Sequence, residues 1–143
     1  MTKIYTAGKI WHAPKFQFLR DQMGFDVNAR WIDFKDDDYV VQHDKRRLWE
    51  ICYEDVRDCD VVLIYAEMFD EEQRGALVEV GMAYGMRKPI VALGRCMSTC
   101  ANGISDVAFT HYDLWNWVDE SLTLDQAATI AVKTHKQTQL LRA

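Results

Sequence analysis

Several large protein classes are excluded by what the sequence lacks. It has no Gly-x-Gly-x-x-Gly fingerprint and no Walker loop, so the usual dinucleotide and NTP signatures are absent. No Ser or Cys stands in a nucleophile-elbow context. No stretch approaches transmembrane length, and Met1-Thr2-Lys3-Ile4-Tyr5 enters a strand pattern without the apolar core of a signal peptide. The expected location is the cytoplasm, without a membrane partner. Basic charge is also scarce: 17 Lys and Arg face 22 Asp and Glu, the net charge is −5, and Lys45-Arg46-Arg47 is the only dense basic cluster. Nucleic acid is therefore not an expected partner. Cysteine is limited to Cys52, Cys59, Cys96 and Cys100, read as free thiols in a reducing compartment. Cys96 and Cys100 have neither a second Cys pair nor a nearby paired His, so a metal site is not expected. His12, His43, His111 and His135 form no motif.

What remains is an ordinary chain of 143 residues, 49% hydrophobic and 27% charged, long enough for one domain with its own core. Lys3 to Ala7 reads as a strand ending at Gly8. A helix from Pro14 to about Met23 follows, with Phe16, Leu19 and Met23 on one face and Gly24 as its stop. Val27 to Phe34 is expected as a second strand, with Asp36-Asp37-Asp38 a solvated turn. A second helix starts at His43 or Asp44 and carries the apolar stripe Leu48, Ile51, Cys52 and Val56. Val61 to Tyr65 is continuously apolar, as in a strand buried on both faces. A helix over about Arg74 to Met86 leads to a fourth strand at Pro89 to Leu93, closed by Gly94. Arg95 to Asp106 is loop-like, Val107 to Thr110 is the candidate fifth strand, and a helix from about Leu124 to Leu140 opens with Thr123 and Gln126 in capping-box spacing. This alternation predicts a single-domain α/β fold over residues 1–143, a Rossmann- or flavodoxin-like parallel sheet of about five strands flanked by helices.

In such sheets ligands bind beyond the carboxyl ends of the strands. That rule selects Gly8 to His12, Asp33 to Asp38, Glu67 to Gly75, and Gly94 onward. The helix after the third strand is apolar nearly all round, as in a core or at a subunit interface, and Glu79 is the one carboxylate between Gly75 and Gly85. Burying an unpaired carboxylate costs several kcal/mol or drives its pKa upward. Two readings stand: a Glu that escapes to solvent or joins an interface ion pair, and a Glu held in a ligand site near a helix dipole that favours its ionised form. Gly75, Gly81 and Gly85 suggest close backbone approach, to a ligand or to another helix. Tyr5, on the first strand, is placed to reach toward Glu79, or is simply half-buried with a water partner. Asp60, at the opposite end of the sheet, reads as a turn or cap acceptor. The apolar helix and Tyr112-Asp113-Leu114-Trp115-Asn116-Trp117 offer more apolar surface than one small sheet covers, so a homo-oligomer is expected.

The segments Lys3-Ile4-Tyr5-Thr6-Ala7-Gly8 and Asp60-Val61-Val62-Leu63, and above all Arg74-Gly75-Ala76-Leu77-Val78-Glu79-Val80-Gly81-Met82-Ala83-Tyr84-Gly85 with Lys88-Pro89-Ile90, resemble the nucleoside 2-deoxyribosyltransferase family and its N-glycosidase relatives. Trp11 and Trp31-Ile32-Asp33 look like its small phage and bacterial branch. The resemblance spans roughly residues 3 to 94 and implies that Glu79 is the nucleophile and Tyr5 its contact. The candidate substrate-binding residues, from the segments at the carboxyl ends of the strands, are Ala7, Gly8, Trp11, Asp33, Glu67, Arg74 and Gly75. The implied partners are a nucleoside or nucleotide and a free nucleobase, with no cofactor. The implied chemistry is a double displacement at C1′, as in retaining glycosidases. Two positions depart from the pattern: Cys52 stands where the family usually has an Asp, and Gln73 lies nearest the family's acidic residue before the nucleophile. Arg74 is either a phosphate contact or a solvated side chain. A non-catalytic nucleoside- or nucleotide-binding module of the same fold is the alternative that Cys52 motivates.

Overall fold

The computed structural model describes residues 1–67, 70, 74–94, 115–119 and 121–142, with only the backbone of Arg74 and Trp115. Strands β1 (Lys3–Ala7), β2 (Asp26–Val27), β3 (Val61–Ala66), β4 (Ile90–Gly94) and β5 (Trp115–Trp117) form one sheet in the order β2-β1-β3-β4-β5. Every pairing is parallel. Parallel neighbours require crossovers, and helices α1 (Ala13–Asp21), α3 (Lys45–Asp58), α4 (Arg74–Gly85) and α5 (Leu124–Arg142) lie between or after the strands, with short α2 (Tyr39–His43) leading into α3. Helices α3 and α4 pack together on one face of the sheet. On the other, α5 lies against β3 and β4, and a cavity separates its first residues from α1. All six residues of β3 are buried, which explains why that strand is an unbroken apolar run. No helix among the described residues is long and apolar enough to cross a membrane.

β2 is far shorter than the expected Val27 to Phe34. Asn28 N–H donates to the Ile4 carbonyl at 3.0 Å, so the ladder begins correctly. Two residues on, Arg30 N–H turns away and donates to Asp55 Oδ2 at 2.9 Å, while the Trp31 indole N–H takes the carbonyl of Thr6 at 2.8 Å. A side chain thus replaces the strand partner of β1, and Arg30–Asp33 coils into a 3-10 turn that buries Ile32. Alternating apolar residues mimicked a strand because Ala29 and Ile32 are buried by that turn instead.

The expected strand at Val107 to Thr110 and the loop Arg95 to Asp106 lie outside the described residues, and the fifth strand is Trp115–Trp117. Trp117, expected on an oligomer surface, packs partly against the core. The capping box at α5 is present: Thr123 N–H donates to Gln126 Oε1 at 2.9 Å, and Gln126 N–H to Thr123 Oγ1 at 3.4 Å. Gly8 is required where it stands, because a Cβ there would lie 2.9 Å from the Tyr65 carbonyl oxygen. By contrast, a Cβ at Gly81 or Gly85 would meet nothing within 4 Å. Close backbone approach at those two positions is therefore not made within the described residues.

Candidate active site

β1 has β2 on one side and β3 on the other, so the chain leaves it in opposite directions and opens a crevice at the carboxyl edge. A cavity of about 300 Å³ occupies that crevice. Gly8 enters from the end of β1, and Gly75, Ala76 and Glu79 from the first turns of α4. Lys45, Leu48, Trp49 and Cys52 come from one stripe of α3, and Trp31 and Phe34 close the aromatic wall. Trp31 is locked by its bond to Thr6 and by edge contact with Phe16 at 5.8 Å between ring centres. The loop carrying Trp31 is tied to α3 by Arg30, whose Nε donates to Asp55 Oδ1 at 2.9 Å, and by Asn28 Nδ2, which donates to the Asp55 carbonyl at 2.9 Å.

Glu79 is 8% exposed. Burial pushes its carboxyl up to about 8, and the pull of Tyr5 and Cys52 toward the ionised form only partly offsets this. The carboxyl is therefore mostly neutral at pH 7. The dipole effect expected from its place in α4 is overridden by desolvation, which is the larger effect in a dry site. Tyr5 lies fully buried behind it. Its hydroxyl oxygen completes no hydrogen bond of ordinary geometry, so its hold on Glu79 is loose. Burial and the nearby Glu79 both push the Tyr5 phenol well above its ordinary value, and it stays a donor. Burial likewise pushes the Cys52 thiol up to about 12, so Cys52 is a neutral, weakly polar neighbour and not a thiolate.

The sequence matches the nucleoside 2-deoxyribosyltransferase family over residues 4–129. The chain belongs to that family. Among solved structures, Clostridium botulinum CMP N-glycosidase shares the fold, with a TM-score of 0.56 at 13% identity over 90% of this chain and 98% of that one. No curated protein sequence matches.

Of the positions nominated from the sequence, the structure gathers Gly8, Gly75 and Glu79 around the cavity, with Tyr5 directly behind. Ala7 is buried at the end of β1, opposite Ile64, and does not reach the lining. Trp11 is exposed, and its indole N–H donates to Asp70 Oδ1 at 3.0 Å. Asp33 faces solvent and accepts from Arg20 Nη1 at 2.7 Å. Glu67 pairs with Lys15 and lies 3.6 Å from His12 Nδ1. The Arg74 side chain lies outside the described residues.

The lining residues that were not nominated have a signal in retrospect. Lys45, Leu48, Trp49 and Cys52 follow i, i+3, i+4, i+7 spacing on α3, so the Cys52 position marks their whole face. Buried His12 and Asp70 form a second cluster at the same edge with the half-buried Glu67. His12 Nε2–H donates to Asp70 Oδ2 at 2.6 Å, and Glu67 N–H donates to the same oxygen at 2.7 Å. That cluster pins the loop after β1 to the loop after β3. No group of three potential metal ligands converges among the described residues.

Proposed function

We propose that the protein cleaves or transfers the N-glycosidic bond of a nucleoside or nucleotide through a covalent glycosyl-Glu79 intermediate. The observation that carries this reading is a buried carboxyl, the only one among the described lining residues, on the floor of an aromatic-walled cavity at the switch point of the sheet. The base stacks against the wall formed by Trp31, Phe34 and Trp49, which sets C1′ of the sugar toward the Glu79 carboxyl. A Glu79 carboxylate oxygen bonds to C1′ as the C1′–N bond breaks. The base departs with that electron pair and takes its proton from solvent. A ring nitrogen of a free base, or water, then attacks C1′ on the opposite side. The ester bond to Glu79 breaks, the attacking group loses its proton to solvent, and the carboxylate is restored.

Two inversions give net retention. The dry surroundings that raise the Glu79 pKa also make its carboxylate strongly basic and strengthen its attraction for an oxocarbenium-like carbon. Cys52 favours a second reading, a non-catalytic binding module, because the described lining contains no carboxylate other than Glu79. Incubation with nucleosides and 5′-monophosphates, with and without free bases, followed by chromatography, separates the two. Released or exchanged base with wild type but not with Glu79→Gln supports the enzyme. Binding without any product supports the module.

A further inference from the structure

We infer that the substrate of this site carries a 5′-phosphate, which Lys45 receives, so that the cavity takes nucleoside monophosphates in preference to free nucleosides. The inference rests on the N-glycosidic reading of the cavity and adds the substrate class.

The basic run Lys45-Arg46-Arg47 is the densest cationic segment of an acidic chain with a net charge of −5. The structure divides its three members. Arg46 Nε lies 3.4 Å from Glu50 Oε1, its side chain otherwise in solvent. Arg47 Nη1 donates to Glu54 Oε1 at 3.0 Å and lies 3.5 Å from Glu50 Oε2. Lys45 has no ion pair or hydrogen bond among the described residues, and it is the one member that lines the cavity. Its neighbour Asp44 does not neutralise it, because the Asp44 carboxylate accepts the Arg47 backbone N–H at 3.0 Å to cap α3.

The charge balance of the lining points the same way. Glu79, pushed up to about 8, and Cys52, pushed up to about 12, are both mostly neutral at pH 7. Lys45 is then the only formal charge among the described lining residues. The described lining, with its aromatic wall, its buried carboxylic acid and the unpartnered, solvent-exposed ammonium of Lys45, gains nothing from that ammonium with an uncharged nucleoside. With a phosphomonoester the ammonium gains a charge-assisted contact, and a flexible point charge suits a phosphate held at a mobile 5′ carbon.

The test is kcat/KM for matched pairs of nucleoside and nucleoside 5′-monophosphate with wild type, Lys45→Ala, Lys45→Arg and the exposed control Arg46→Ala. Calorimetric binding of the same pairs to Glu79→Gln gives a readout that needs no turnover. The expected result is a wild-type preference for the monophosphate of about 10- to 100-fold, the range set by one charge-assisted contact. In Lys45→Ala that ratio collapses toward one through KM, Lys45→Arg retains most of it, and Arg46→Ala keeps it. Equal efficiency of wild type on both members of a pair, or a ratio undisturbed by Lys45→Ala, overturns the inference while leaving the N-glycosidic reading standing. If nothing is turned over but calorimetry shows a monophosphate preference that Lys45→Ala removes, the phosphate site stands and the reaction falls.

Discussion

Asp70 and Glu79 are enclosed carboxyls at the same edge of the sheet, 3% and 8% exposed, one in the loop after β3 and the other on the helix that follows it. Asp70 receives the indole N–H of Trp11, a ring N–H of His12 and the backbone N–H of Glu67. Among the described residues, Glu79 receives only a loose pull from Tyr5 and Cys52. A buried carboxyl with three donors is bound into the framework, whereas one with almost none stays available for chemistry and weakens the fold that carries it. The difference separates an acid bound into the framework from the one proposed to react, without reference to sequence position.

The comparison breaks first at Glu79. Glu79→Gln keeps the shape and removes the proposed nucleophile, so base release or exchange should fall by about 10³-fold or more, measured as initial rates under saturating substrate. An unchanged rate would move the chemistry elsewhere.

Stability should respond in the opposite sense. The folded Glu79 keeps its proton up to about pH 8, while an ordinary Glu releases it near 4.5. Between those values the folded state binds more protons than the unfolded one, so stability falls as pH rises across that window. Urea denaturation at pH 9 should therefore find Glu79→Gln more stable than wild type by about 3–5 kcal/mol, with the two nearly equal at pH 4. Asp70→Ala should do the reverse and cost about 2–4 kcal/mol at neutral pH, because it strands three donors, that of His12 buried and those of Trp11 and Glu67 partly buried. If both variants shift stability in the same direction, the contrast fails.

The ordering of these acids was only partly legible in the sequence. The α/β alternation, the buried run of β3, the α5 capping box and the oddity of Glu79 all follow from local pattern, because each depends on neighbours a few residues away. The end of β2 does not. It is set by Asp55 taking the Arg30 N–H and by the Trp31 indole taking the Thr6 carbonyl, contacts across 25 residues that no periodicity encodes. The same is true of His12, which showed no motif because its partner Asp70 lies 58 residues away. Gly8 stands where a Cβ would strike the Tyr65 carbonyl, whereas a Cβ at Gly75 would make only ordinary contact with Trp49. Lys45 was visible only as part of a charge cluster, since what singles it out is that Arg46 and Arg47 have acidic partners and it has none among the described residues. Trp11 and Asp33, nominated by the carboxyl-edge rule, are turned to other partners.

Two smaller effects sharpen the contrast. The initial rate should climb with pH and level off near 8, as Glu79 ionises, in a profile of log kcat/KM with unit slope below the break. Introducing a second acid next to Glu79 by Cys52→Asp should push that break upward by about one unit, because a like charge disfavours ionisation. An unmoved break would mean that position 52 does not sense Glu79.

The most direct measurement of the central claim is the mass of the enzyme after incubation with a 2′-fluoro-2′-deoxyarabino-nucleoside or its 5′-monophosphate, whose fluorine slows the second displacement by destabilising the oxocarbenium-like transition state. Intact mass followed by peptide mapping should show one added fluoroglycosyl group on the peptide containing Glu79, and none on Glu79→Gln. Turnover of the natural substrate without such an adduct, or an adduct on a different side chain, would contradict the account.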